Sequence, residues 1–251
     1  MNYKDLLQEQ LADFCSKGYN RTFTSIYRYQ ETFPFTKIDL PNQEHQKENI
    51  NPNTTIWCSN DYLNMSHNKE VINRMIQVIN EVGTGSGGTR NISGTTPYHD
   101  QLEKKLANFH ERDAALIFTS AYVANQTTLA TLCKRIPNIE VFSDQLNHAS
   151  LIEGIKNSKA SCSIFKHNDL EHLESLLSEK DLNHPKIIVF ESLYSMDGTE
   201  TNVSEYVKLA KKYNALTYLD EVHAVGLYGK GGRGIAFKNN ISNDVDIING
   251  T

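Results

Sequence analysis

A carboxylate and two histidines lie just beyond predicted β-strands, where the functional groups of parallel α/β sheets usually gather. Asp220 ends the apolar run ALTYLD, His223 follows three residues later, and His148 comes shortly after the run EVFSD. An acid placed there needs a positive partner: a structural ion pair, a metal ion, an acid–base partner, or the protonated ring nitrogen of a heteroaromatic cofactor. Two ligands do not define a metal site, so we predict no metal. The convergence of all three groups favours a functional site.

The segment IFTSAYVANQ places a second group of polar residues where a buried strand is predicted to end and a helix to begin. Unpaired N–H groups and the helix dipole at such a junction favour the binding of a phosphate near Thr119, Ser120, Ala121 and Tyr122. A plain Ser or Thr cap explains the same residues, and Tyr122 fits either stacking on an aromatic ligand or half-buried packing. The residues alone leave both interpretations open.

Two glycine-rich stretches, at residues 83–88 and 229–234, match the spacing GxGxxG. A dinucleotide-binding fingerprint needs a strand before it and a helix opening from it, and neither stretch has this context, so we predict no Rossmann site. We interpret GTGSGGTRNISGT as a loop whose small residues let the backbone approach a ligand, followed by a helix over residues 98–109. A purely structural turn is the alternative.

The chain alternates short apolar runs with helical patterns from residue 114 onward, beginning with AALIF. This alternation predicts βαβ units, right-handed crossovers and a mostly parallel sheet. An amphipathic pattern that stops at Gly18 predicts an N-terminal helix, and the polar residues 37–55 predict an exposed connection. We therefore expect a helical and connecting segment over residues 1–55 and an α/β domain over residues 56–251.

Composition excludes several classes of protein. The 251 residues are 39% hydrophobic and 22% charged, which is far from the composition of disordered chains. A net charge of −5 with scattered basic residues argues against nucleic acids and anionic membranes as partners. The four cysteines are widely separated, and the N-terminal residues have the pattern of neither a signal peptide nor a membrane span. These features predict a cytoplasmic enzyme.

Several stretches together resemble a known family, namely SNDYL, GTRNISGT followed by YHDQLE, LNHASLIEGI, FKHND, FESLYSMDG and YLDEVHAVGLYG. They are similar to the pyridoxal 5′-phosphate (PLP) enzymes of aminotransferase fold type I, and within these to the α-oxoamine synthases, which join an amino acid to an acyl-CoA. The resemblance covers residues 19–251 and is strongest to the branch that condenses glycine with succinyl-CoA. It implies PLP as cofactor, a three-layer α/β/α large domain, and a homodimer with the active site between the subunits.

The resemblance also implies roles for individual residues. Asp220 would keep the PLP ring nitrogen protonated, His148 would stack on the ring, and His223 would hydrogen-bond the phenolic oxygen, which makes these three the predicted catalytic residues. The other predicted cofactor contacts are Ser120, Ala121, Tyr122, Ser195 and Thr251. The predicted contacts to succinyl-CoA or glycine are Arg21, Asn60, Thr89, Asn91 and Ser143.

Two features depart from the family pattern. In the family, a strand ending in Gly-Thr leads to the lysine that forms the Schiff base, and here the sequence ends at Thr251. We therefore expect that the catalytic lysine and the C-terminal small domain are absent and that this chain alone is inactive. Cys162 stands where relatives often carry a lysine toward the acyl-CoA, which leaves acyl-CoA specificity open. The alternatives are another α-oxoamine synthase (2-amino-3-ketobutyrate CoA ligase or 8-amino-7-oxononanoate synthase) or a non-catalytic binding or dimerisation module.

Overall fold

The structure, a computed structural model, describes residues 2–20, 23, 25–39 and 54–251. The chain divides into two compact units, residues 1–81 and residues 82–251. Arg21, a predicted substrate contact, lies outside the described residues. The boundary predicted between residues 55 and 56 stays a prediction.

The described part of the first unit contains two α-helices and a small antiparallel sheet. Its elements are α1 (Tyr3–Ser16), β1 (Ser25–Tyr27), β2 (Phe35–Asp39), β3 (Thr54–Thr55) and α2 (Lys69–Val82). The strands pair in the order β1-β2-β3. The Asn2 side chain caps α1 by accepting a hydrogen bond from the Lys4 amide, and Gly18 follows the helix with a φ of +71°. The predicted N-terminal helix and its glycine stop are therefore confirmed.

The second unit is built around five parallel strands in the order β5-β4-β6-β7-β8. The elements of this unit are α3 (Pro97–Phe109), α4 (Ala121–Arg135), β4 (Glu140–Asp144), α5 (Ala149–Ser158), β5 (Ser161–Phe165), α6 (Leu170–Ser178), β6 (Lys186–Glu191), α7 (Val203–Lys212), β7 (Leu216–Asp220), α8 (Ile235–Lys238) and β8 (Ile247–Asn249). The predicted parallel sheet and the helix predicted over residues 98–109 are both confirmed.

Successive side chains of the central strand β6 pack on opposite faces of the sheet. Ile187 and Val189 pack in one buried cluster with residues of α4 and α5, whereas Ile188 and Phe190 pack in a second cluster with residues of α6 and α7. A parallel strand covered by helices on both faces is apolar along its whole length rather than at alternate positions. The α/β/α layering is therefore confirmed.

The prediction of a first strand at AALIF, residues 114–118, is wrong. These residues belong to no β-ladder of the described chain. The Ile117 amide donates instead to the Glu103 carboxylate of α3, at 2.9 Å. An apolar run indicates burial, but a strand also needs a neighbour with which to exchange backbone hydrogen bonds.

Among the helices described, none combines the length and the apolar character that crossing a membrane would require.

Candidate active site

Three neighbouring strands of the sheet end in buried acids. Asp144, Glu191 and Asp220 are the last residues of β4, β6 and β7, and each is at most 5% exposed. Glu191 and Asp220 are partners in the β6–β7 register. Ligands of open α/β sheets bind beyond the carboxyl ends of the strands, and three acids lie together at that edge here.

Asp220 is the most deeply buried of the three predicted catalytic residues. Its Oδ1 accepts a hydrogen bond from the Val222 amide at 2.9 Å, and its Oδ2 accepts one from Asn125 Nδ2 at 2.6 Å. Burial raises the pKa of Asp220, while these two donors and the nearby His148 and His223 partly oppose the increase. Both donors are neutral, so a protonated ring nitrogen would supply the positive charge that a buried carboxylate requires.

His148 lies at the N-terminus of α5 and is held at both its backbone and its ring. Its amide donates to Glu191 Oε1 at 2.6 Å, and its Nδ1 accepts from the Ser150 amide at 3.2 Å. Ser150 Oγ lies 2.7 Å from the same Nδ1, and the Tyr122 ring meets the imidazole edge-on with the centroids 6.0 Å apart. The two contacts from Ser150 fix the orientation of the imidazole ring.

His223 is half-buried beyond the end of β7. Burial lowers the pKa of its imidazole, Asp220 opposes this effect, and His148 adds to it. The structure therefore brings all three predicted catalytic residues to one edge of the sheet.

The predicted phosphate-binding residues lie at the N-terminus of α4. Ser120 is the N-cap, and its Oγ accepts a hydrogen bond from the Val123 amide at 3.2 Å. Ser120, Ala121 and Thr251 line one open cavity of about 780 Å³. The N–H groups of a first helical turn have no partner inside the helix, which suits a phosphate group. N–H donors at a helix N-terminus, the Tyr122 ring and a buried acid together fit the phosphate, the ring and the ring nitrogen of PLP.

Thr89 and Asn91, the predicted acyl-CoA contacts, lie in an anchored loop. Thr89 Oγ1 donates to Asn91 Oδ1 at 2.9 Å, and the single π-helical turn Arg90–Gly94 begins between them. The Arg90 guanidinium forms a forked ion pair with the Glu103 carboxylate of α3, with Nη2 and Oε2 3.1 Å apart. The ion pair fixes the loop to α3 and leaves Thr89 and Asn91 exposed.

The other three predicted contacts lie in different surroundings. Ser195 is exposed in the turn after β6, and Asn60 is an exposed residue of the first unit. Ser143 is only 4% exposed, and its Oγ accepts a hydrogen bond from Asn147 Nδ2 at 2.9 Å. The structure does not bring Ser143 to the surface, and a ligand contact for each of these residues stays a prediction.

Sequence reasoning missed the buried residues that hold the predicted site in place: Asn125, Ser150, Glu191 and Asn249. Asn125 lies on the same buried face of α4 as Leu129 and Cys133. A polar residue in an apolar stripe indicates a buried hydrogen-bond partner, and this pattern was visible in the sequence. Glu191 ends an apolar run in the same way as Asp220 does.

The Glu191 carboxyl gives the cofactor-free protein a pH-dependent stability. Burial, together with the charge of Asp220, raises the pKa of Glu191 to about 8. Between about pH 5 and pH 8 the folded chain keeps a proton that the unfolded chain releases, so the free energy of unfolding falls as pH rises, by up to about 1.4 kcal/mol per pH unit. Glu191→Gln preserves the shape of the neutral acid and should reduce this slope in urea unfolding, leaving the part contributed by the other buried acids Asp220 and Glu221.

The exposed Glu171 on α6 provides the control, since Glu171→Gln should leave the pH dependence as in the wild type. Parallel stability curves for the wild type and Glu191→Gln would show that Glu191 does not carry the proton.

Comparison with known proteins relates this arrangement to a family. Residues 52–251 match the family model described as aminotransferase class I and II. The 5-aminolevulinate synthase of Rickettsia conorii is 49% identical over 252 residues, which is 100% of this chain and 58% of the relative. The enzyme of the same name from Paracoccus denitrificans is 45% identical over 251 residues and is covered to 60%. The chain therefore spans less than two thirds of these curated relatives.

Among solved structures, a serine palmitoyltransferase from S. paucimobilis with bound PLP–myriocin aldimine is similar, with a TM-score of 0.82 and 27% identity. The similarity covers 98% of this chain and 59% of that one.

Proposed function

This chain belongs to the aminotransferase class I and II family, and from that premise we propose that it carries the PLP site of a 5-aminolevulinate synthase. The reaction is the condensation of glycine with succinyl-CoA, which gives 5-aminolevulinate, CoA and CO2 for tetrapyrrole and heme biosynthesis. The buried Asp220 carboxylate carries this proposal, because both of its hydrogen-bond donors are neutral amides at 2.6 and 2.9 Å and it lies at the same sheet edge as His148 and His223. The identity of 45 to 49% with proteins of this name supports the choice of reaction.

The residues of the sheet edge would hold the cofactor at three places. Asp220 would keep the proton on the ring nitrogen, His223 would hydrogen-bond the phenolic oxygen, and His148 would cover one face of the ring. The remaining contacts, to the phosphate and the outer part of the cofactor, would come from Ser120, Ala121, Tyr122, Ser195 and Thr251. When bound, PLP supplies an electron sink for the negative charge that develops at the glycine α-carbon.

The exposed loop residues would bind the substrates. Thr89 and Asn91 would contact succinyl-CoA, and their loop is held to α3 by the ion pair of Arg90 with Glu103. Arg21 would pair with the succinyl carboxylate, Asn60 would hold the glycine end, and Ser143 would act on the acyl-CoA side. We further propose that the protein is a homodimer in the cytoplasm, with the active site between the two subunits.

A substrate assay tests the reaction. The protein translated from the complete reading frame is loaded with PLP and glycine and given succinyl-CoA, acetyl-CoA or pimeloyl-CoA, while CoA release and 5-aminolevulinate are measured. We expect kcat/KM for succinyl-CoA to exceed the others by about 10²-fold, because a shorter or longer acyl chain leaves the charged partner of the carboxylate unsatisfied.

A preference for acetyl-CoA or pimeloyl-CoA would contradict the proposed substrate and favour a sister α-oxoamine synthase. A reading frame that stops at codon 251, with PLP binding but no CoA release, would instead favour the non-catalytic module.

A further inference from the structure

The side-chain amide of Asn125 forms four hydrogen bonds at the sheet edge. Asn125 is 1% exposed, and its Nδ2 donates to Asp220 Oδ2 at 2.6 Å and to Ser150 Oγ at 2.9 Å. Its Oδ1 accepts from the Tyr218 hydroxyl at 2.8 Å and from Asn249 Nδ2 at 2.9 Å. Two donated and two accepted hydrogen bonds are the full capacity of an amide group.

These four partners fix the orientation of the amide. The Asp220 carboxylate can only accept, so it requires the Nδ2 of Asn125 on its side, and the Asn249 side chain, on β8, then donates to the Oδ1 on the other side. A flipped Asn125 would point an oxygen at the Asp220 carboxylate, and the two oxygens would repel each other. The N–H group is therefore held against Asp220 by elements from α4, α5, β7 and β8.

We propose that Asn125 is a positioning residue that keeps the Asp220 carboxylate ionised and fixed in orientation for the cofactor ring nitrogen. The inference rests on the proposed PLP site and goes beyond it, because Asn125 contacts the acid and not the cofactor. A hydrogen bond from a neutral donor to a carboxylate stabilises the charged form without neutralising it. Asp220 thereby remains available to a positively charged ring.

Several titratable groups surround Asp220 besides Asn125. They lie on the neighbouring strand β6, on β7 itself, on the turn that follows β7 and at the N-cap of α5: Glu191, Tyr218, Glu221, His223 and His148. Burial raises the pKa of Asp220 and the Asn125 hydrogen bond opposes the increase, so removal of that bond should raise this pKa further. The other groups are common to all Asn125 variants, so a difference between variants reports the Asn125 contact.

The test compares Asn125→Val with Asn125→Thr, two residues of the same shape that differ in a hydroxyl donor. The probe is pyridoxamine 5′-phosphate, which binds without covalent attachment, and its dissociation constant is measured by equilibrium dialysis from pH 5 to pH 9. Asn125→Val should move the acidic limb of binding upward by about one pH unit and weaken binding at low pH about tenfold, while Asn125→Thr should stay closer to the wild type.

Thr217→Val is the matched structural control. Thr217 is a buried β7 residue whose Oγ1 bonds to Asp246 at 2.8 Å, at the opposite end of the strand. Loss of this hydrogen bond should lower the free energy of unfolding without shifting the pH dependence of probe binding. If Asn125→Val weakens binding of the probe equally at every pH, the inference is overturned. If the wild-type chain does not bind the probe, the PLP site on which the inference rests is overturned.

Discussion

Asp220→Ala is expected to weaken the binding of pyridoxamine 5′-phosphate by about 10²- to 10³-fold and to abolish turnover of the assembled enzyme. The magnitude is that of breaking a buried ion pair, because the protonated ring would lose the only predicted anionic partner of its nitrogen. Asp220 is buried, and its two hydrogen-bond donors, at 2.6 and 2.9 Å, are neutral. Water therefore cannot take the place of the lost carboxylate without a large cost in free energy.

Asp220→Asn separates charge from shape. The amide fills the same volume without the negative charge, and it should lose nearly as much affinity as alanine. Equilibrium dialysis with the probe and single-turnover kinetics measure the two effects. Normal turnover in Asp220→Ala would refute the assignment of this residue to the ring nitrogen.

Gly94→Ala is expected to disrupt the loop that carries Thr89 and Asn91. A methyl group at Gly94 would overlap the carbonyl oxygen of Gly88 and would lie 2.8 Å from the carbonyl carbon of Thr89. Neither contact is with a flexible side chain, so the turn must open, at a cost of about 1–3 kcal/mol or more in unfolding free energy. With the turn open, KM for the acyl-CoA should rise about tenfold while kcat changes less.

Gly85→Ala is the matched control for this loop, because a methyl group there would meet no atom within 4 Å. Urea unfolding and the KM of succinyl-CoA are measured for both variants. Wild-type stability and KM in Gly94→Ala would show that the loop does not need the close approach of Gly94 to Gly88.

The sequence pattern was sufficient to locate the groups that lie next to each other along the chain. Asp220 and His223 follow one apolar run, and a single rule about strand ends identified both. The N-terminus of α4 was located from the change from apolar run to helical period at Ser120, although the strand predicted before it does not form.

The residues that fix this site depend on contacts between distant parts of the chain. Asn125 meets Asp220 across 95 positions of sequence, and Asn249 meets Asn125 across 124. Periodicity describes one element at a time and carries no information on which elements meet. For the same reason residues 114–118 looked like a strand, although whether an apolar run becomes a strand depends on a partner elsewhere.

The protonation state of the cofactor ring nitrogen shows whether Asp220 is its partner. Pyridoxamine 5′-phosphate labelled with ¹⁵N in the ring is bound to the wild-type chain, and its ¹⁵N chemical shift is followed with rising pH beside the free compound. The Asp220 site predicts that the bound nitrogen stays protonated to a higher pH than the free one and that Asp220→Asn removes the difference. A bound nitrogen that loses its proton at the same pH as the free compound would show that Asp220 does not hold the ring nitrogen.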